Sequence, residues 1–115
     1  MTLDPAAMAR LLEITGDDAA FVDELVDTFI EDAGAQLVAL RAAAEARDEA
    51  AAVRPAHSLK SNSMNVGATV LADLTRAIEV DGRAGAIPDL ATRVAAVETE
   101  FAGVREALLA ERAAR

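Results

Sequence analysis

The chain has 115 residues, the size of a single domain over 1–115, with 20 acidic residues against 11 Lys and Arg and a formal net charge of -9. That balance argues against nucleic acid, whose phosphates must be neutralised by Lys and Arg, and equally against an anionic membrane surface. With no cysteine, there can be no disulfide, thiolate metal site or thiol nucleophile, which is compatible with a reducing cytosol. Hydrophobic residues make up 53% of the chain, yet only three residues are aromatic, all Phe. Strands favour aromatic and β-branched side chains, so this Ala-rich composition predicts closely packed helices. Met1-Thr2-Leu3-Asp4-Pro5 shows neither a basic n-region nor a long apolar run, and no stretch reaches the roughly 20 apolar residues of a membrane span. A soluble, cytoplasmic domain is expected.

A short first helix is announced by Asp4 as cap and Pro5 at the first helical position, with Leu3 and Met8 spaced as a hydrophobic staple. Its apolar residues are Met8, Leu11, Leu12 and Ile14, and Thr15-Gly16 ends it. Asp17 or Asp18 caps a second, longer helix in which Phe21, Leu25, Phe29, Ala33, Leu37, Leu40 and Ala44 recur at helical spacing. That stripe must face a core. The helix ends near Arg47-Asp48. A third covers roughly 48–66, followed by Gly67 as a left-handed cap would require. A fourth, about 68–80, presents Val70, Leu71, Leu74, Ala77 and Ile78, with Asp81-Gly82-Arg83 and Gly85 making the next turn. The last starts near Pro88-Asp89 and shows Leu90, Val94, Val97, Phe101, Val104 and Leu108, the alternating spacing of a bundle seam. Short connections between amphipathic helices make antiparallel neighbours. The predicted fold is all-α: an up-down antiparallel four-helix bundle with a short additional N-terminal helix.

The only histidine and the only lysine, His57 and Lys60, lie three residues apart in the third helix. Helical steps of about 100° put Leu59, Val66, Ala52 and Ala56 on one side of that helix. Arg54, His57, Lys60, Ser61 and Met64 fall on the other, within about 60° of the histidine direction. The imidazole should therefore face solvent from mid-helix, with the fixed charge of Lys60 beside it, an arrangement suited to an anionic group such as phosphate. An exposed histidine is usually an ordinary surface residue. Here, however, the surrounding face is open, slightly basic and partly apolar at Met64, unlike the Glu- and Arg-rich face at Glu45 to Glu49, and it suits docking of a partner. Pro55 lies inside the same helix, where it could bend the axis.

Those residues carry a resemblance. Ala56-His57-Ser58-Leu59-Lys60-Ser61-Asn62-Ser63-Met64-Asn65-Val66-Gly67-Ala68, followed by Leu71 and Glu79, resembles the signature of histidine-containing phosphotransfer (HPt) domains, relay modules of two-component signalling. The motif spans about a quarter of the chain, and length and helix count extend the likeness over nearly all of it. The resemblance implies that His57 is the phosphoacceptor and that Lys60 supports the phosphoryl group. Ser61 would be the small residue that leaves the imidazole accessible, a position often occupied by glycine in the family. Arg54 and Met64 would serve docking, and Gly67 would end the helix. It also implies a relay intermediate without kinase activity, which takes a phosphoryl group from an aspartyl phosphate on one receiver domain and passes it to another. The expected partners are response-regulator receiver domains and a hybrid histidine kinase. No cofactor is intrinsic, Mg²⁺ being expected on the partner receiver, and the protein should be a monomer.

Phosphoryl transfer is mostly positioning and electrostatics. It asks of this chain a neutral ring, and the fixed charge of Lys60 favours that form. The alternative is a helical adaptor that docks receiver domains without phosphorylation. A hydrolase using Ser61 as nucleophile and His57 as base lacks a glycine-rich turn for an oxyanion hole and any evident acid to orient the ring. A kinase dimerisation segment usually has an acid after its histidine, where Ser58 stands here. A single histidine among scattered carboxylates matches no metal-ligand spacing. The acidic pairs at Asp17-Asp18 and Glu31-Asp32 read as helix-start charges and solvated faces.

Overall fold

The computed structural model describes residues 18–113 and, ahead of them, residues 3, 5, 6, 9 and 13. The short helix predicted on Asp4, Met8, Leu11, Leu12 and Ile14 lies outside the described residues. Four helices follow: α1 (Ala19–Ala46), α2 (Glu49–Asn65), α3 (Thr69–Ala84) and α4 (Leu90–Ala113). Among the described residues there is no strand. α1 packs against α2 and α4, and α3 packs against the same two, so the four form a ring around one core. At about 1.5 Å per residue, the 28 residues of α1 run the full 43 Å length of the molecule.

Local chemistry sets each boundary. The Asp18 carboxylate accepts the Phe21 N–H at 3.2 Å and starts α1. Asp48 does the same for α2 through the Ala51 N–H at 3.1 Å. These are N-caps that satisfy amide groups with no helical partner. Arg47 closes α1 in the left-handed region (φ 53°), and its neighbour's amide turns back onto the Ala43 carbonyl. Gly67 (φ 74°) closes α2, and Gly85 (φ 104°) closes α3.

Two predicted details change. The buried stripe of α1 begins at Val22 and Val26, one position on from Phe21, which is 48% exposed, and Leu25, which is half-buried. From Phe29 onward the predicted residues are buried. The segment Asp81-Gly82-Arg83 is not a turn but the last part of α3, which runs on to Ala84. Gly82 is needed there for close approach: a Cβ would lie 2.5 Å from Val53 Cγ2 and 3.3 Å from Ile87 Cδ1. The glycine lets α3 lie against α2 and is not a chain reversal.

The core is aliphatic, with Leu40, Leu59, Leu71, Ile78 and Leu108 its largest fully buried side chains. Phe29 and Phe101 add a tilted aromatic pair at 6.2 Å. Ion pairs tie the helices at the surface: Arg41 with Glu98 between α1 and α4, Arg93 with Asp81 (2.8 Å) between α4 and α3, and Arg112 with Asp23 and Asp27 between α4 and α1.

Candidate functional site

The cap at Asp48 fixes the phase of α2, and the phase decides what faces inward. Ala52, Ala56, Leu59 and Ser63 are all fully buried. The small alanines let α2 sit close to its neighbours, and the Ser63 hydroxyl is satisfied by the Leu59 carbonyl at 2.6 Å. α2 passes unbroken through Pro55, whose ring is itself buried. His57 lies on the opposite face with its side chain 51% exposed, as helical spacing predicts. Arg54, Ser61 and Met64 are exposed on the same face, Met64 at 54%. Met64 is not covered by α3, although Arg76 reaches its sulfur at 4.0 Å.

No acid to orient the ring is evident along the helix that carries it, but the structure supplies one from α3. Glu79, on the buried side of α3 and only 5% exposed, places Oε2 2.7 Å from His57 Nδ1. Lys60 does not extend into solvent; its ammonium leans onto the other oxygen, Oε1, at 2.8 Å. Arg83, one turn further along α3, donates to Oε2 through Nη2 (2.9 Å) and Nε (3.1 Å). Three cationic or cation-forming groups, Lys60, Arg83 and His57, thus converge on one buried carboxylate. The result is a Glu79 acidity pushed from the usual 4.5 down to about 2, first by the Lys60 hydrogen bond, against the opposing effect of burial, with Arg83 and His57 adding to it.

This geometry favours the tautomer with its proton on Nδ1. An ionised carboxylate can only accept, so the contact at Nδ1 requires an N–H there. In the neutral ring the free lone pair is then on Nε2, the orienting logic seen wherever a carboxylate holds a reactive imidazole.

The sequence held a signal for Glu79 beyond its place in the motif. On α3 the buried positions are Leu71, Ala72, Thr75, Ile78 and Glu79, so an acid occupies an apolar slot of a helical stripe, one turn from a basic residue. Its distance from the Gly67 turn also matters. His57 lies ten residues before Gly67 and Glu79 twelve after it, so an antiparallel hairpin brings them level. Among the described residues no group of three or more His, Cys, Asp or Glu is placed to hold a metal. No helix among them is long and apolar enough to cross a membrane.

The all-helical bundle presents one half-exposed histidine held by a carboxylate, and the chain belongs to the Hpt domain family, whose match spans residues 24–107. Members of this family are intermediates of histidine phosphotransfer in two-component signalling, not kinases, and interact there with receiver domains and kinases. Among solved structures, the chain is similar to the crystal structure of histidine-containing phosphotransfer protein B (HptB) from Pseudomonas aeruginosa PAO1. The TM-score is 0.89 and the identity 34%, over 99% of this chain and 96% of that one. No curated protein matches the chain.

Proposed function

We propose that His57 is the phosphoacceptor of a relay, taking a phosphoryl group from the aspartyl phosphate of one receiver domain and passing it to the aspartate of another. The observation that carries this is the 2.7 Å contact between Nδ1 and the Glu79 carboxylate on a ring that is half exposed. The Nε2 lone pair attacks phosphorus, the P–O bond to the aspartate breaks, and the aspartate leaves as a carboxylate. The ring keeps its proton on Nδ1 and becomes a phosphoimidazolium. Its new positive charge develops beside Glu79, so no proton has to move during transfer. Return of the group to a second aspartate reverses these steps, with the neutral ring as leaving group.

Supporting groups follow from the same face. Lys60, held one turn from the ring, would screen the phosphoryl oxygens, and Ser61 keeps the surface beyond the imidazole low. Arg54 and Met64 flank the approach and serve docking. On a chain of net charge -9, Arg54 on the histidine's own face and Lys60 and Arg83 around Glu79 gather positive charge near the ring, matched to an acidic receiver pocket. That pocket would bring the Mg²⁺ for the phosphate. The protein works as a monomer, in the cytoplasm with its receivers and a hybrid histidine kinase. The test is label transfer from a phosphorylated receiver to the wild-type chain and to His57→Gln. Loss of incorporation in a folded variant is expected, and wild-type incorporation in that variant overturns the reading. Binding of the charged receiver to the wild-type chain without transfer would instead make the protein an adaptor.

A further inference from the structure

The least explained feature of the site is Arg83. Its side chain is 62% exposed, and the chain offers it many surface carboxylates. It nevertheless commits two N–H groups to one buried oxygen, the same Glu79 Oε2 that faces His57 Nδ1. We infer that Arg83 is a positioning residue for the reaction at His57: by forking onto Oε2 it pins the carboxylate that receives the Nδ1–H and so keeps the ring's lone pair on Nε2. This rests on His57 being the phosphoacceptor.

The terminal torsion of a glutamate is broad, and one anchor does not fix it. Lys60 holds only Oε1, and an ammonium is a point contact that lets the carboxylate swivel around it. The planar guanidinium of Arg83, reaching across one helical turn, supplies the second, directional anchor. The charges also balance usefully. Two permanent cations, Lys60 and Arg83, stand against one carboxylate, so the charge of Glu79 is already met and its bond to the ring acts chiefly to orient. The groups that meet on Glu79 are then His57 and Lys60 from α2 and Arg83 from α3. Without Arg83 the carboxylate turns toward Lys60, and the tautomer with its proton on Nε2 becomes populated, which blocks attack.

Because His57 is the only histidine, its ring nitrogens give unambiguous ¹⁵N signals. Arg83→Gln and Arg83→Lys are made in the full chain. Each is measured for ¹⁵N tautomer pattern at alkaline pH, thermal unfolding, and label uptake from a phosphorylated receiver. Arg83→Gln should lose the Nδ1–H pattern and take up label roughly tenfold more slowly, the lower end of what loss of an outer partner costs at a metal-bound histidine. Its unfolding temperature should fall by no more than a few degrees, since the Arg83 side chain is 62% exposed, and lysine should restore part of the rate. An unchanged ¹⁵N pattern in Arg83→Gln overturns the inference, whether or not the rate falls. A shifted pattern in Arg83→Gln together with a wild-type chain that takes no label upholds the hold of Arg83 on the ring and overturns His57 as phosphoacceptor.

Discussion

Replacing Glu79 with glutamine removes the charge at the centre of the site while keeping its shape, and the consequence for stability can be worked out. Its acidity sits at about 2 in the folded protein against 4.5 ordinarily. A depressed folded value means stabilisation that is present above 4.5 and is lost as pH falls toward 2. A shift of that size is worth on the order of 3 kcal/mol near neutral pH, at about 1.4 kcal/mol per unit. Linkage apportions it: nearly all remains at pH 5 and somewhat under half at pH 3, a loss of about 2 kcal/mol across that window. Urea unfolding of the wild-type chain and Glu79→Gln at pH 5, 4 and 3 reads this directly, because every other carboxylate is common to both. The wild-type advantage should shrink by about 2 kcal/mol from pH 5 to pH 3. An advantage that stays constant over that window would refute the claim that Glu79 is a buried anion held by Lys60, Arg83 and His57.

Gly82→Ala should destabilise. The new Cβ meets the stiff Val53 side chain at 2.5 Å, and overpacking of about 1–3 kcal/mol exceeds the helix-propensity gain of at most about 1 kcal/mol. A raised melting temperature would contradict the close α2–α3 approach. Leu59→Ala, at a fully buried position behind the histidine face, should cost about 2–5 kcal/mol in urea unfolding; a cost near zero would place Leu59 outside the core. Ser61→Phe, at an exposed position one turn beyond His57, should slow label uptake with little change in unfolding temperature. Uptake at the wild-type rate would remove Ser61 from the approach to the ring.

How much of this was legible in the chain depended on whether one helix or two were involved. The exposure of His57 followed from the phase of a single helix, since Ala52, Ala56 and Leu59 leave only one side to bury. The ends at Arg47-Asp48 and Gly67 were legible because caps act within a few residues. Phe21 misled because a large apolar side chain at a helix start outweighs its neighbour in a periodic count, although Val22 and Val26 carry the same spacing one step on. Asp81-Gly82-Arg83 misled because glycine serves both turns and close packing, and only the presence of Val53 across the interface tells them apart. Glu79 was visible as part of a motif, but its bond to His57 belongs to the hairpin and not to either helix. The contact of Lys60 with Glu79 crosses the same hairpin and was illegible for the same reason, whereas Arg83 stands one turn from Glu79 on the same helix, a spacing the sequence does show.

The central claim is that a carboxylate holds the proton on Nδ1 and turns the Nε2 lone pair outward to receive the phosphoryl group. Heteronuclear ³¹P–¹⁵N correlation on the chain after reaction with a phosphorylated receiver tests it most directly. Phosphorus coupled to Nε2 of the single histidine, with the proton still on Nδ1, is the predicted result. Phosphorus on Nδ1, or on any residue other than His57, would contradict it.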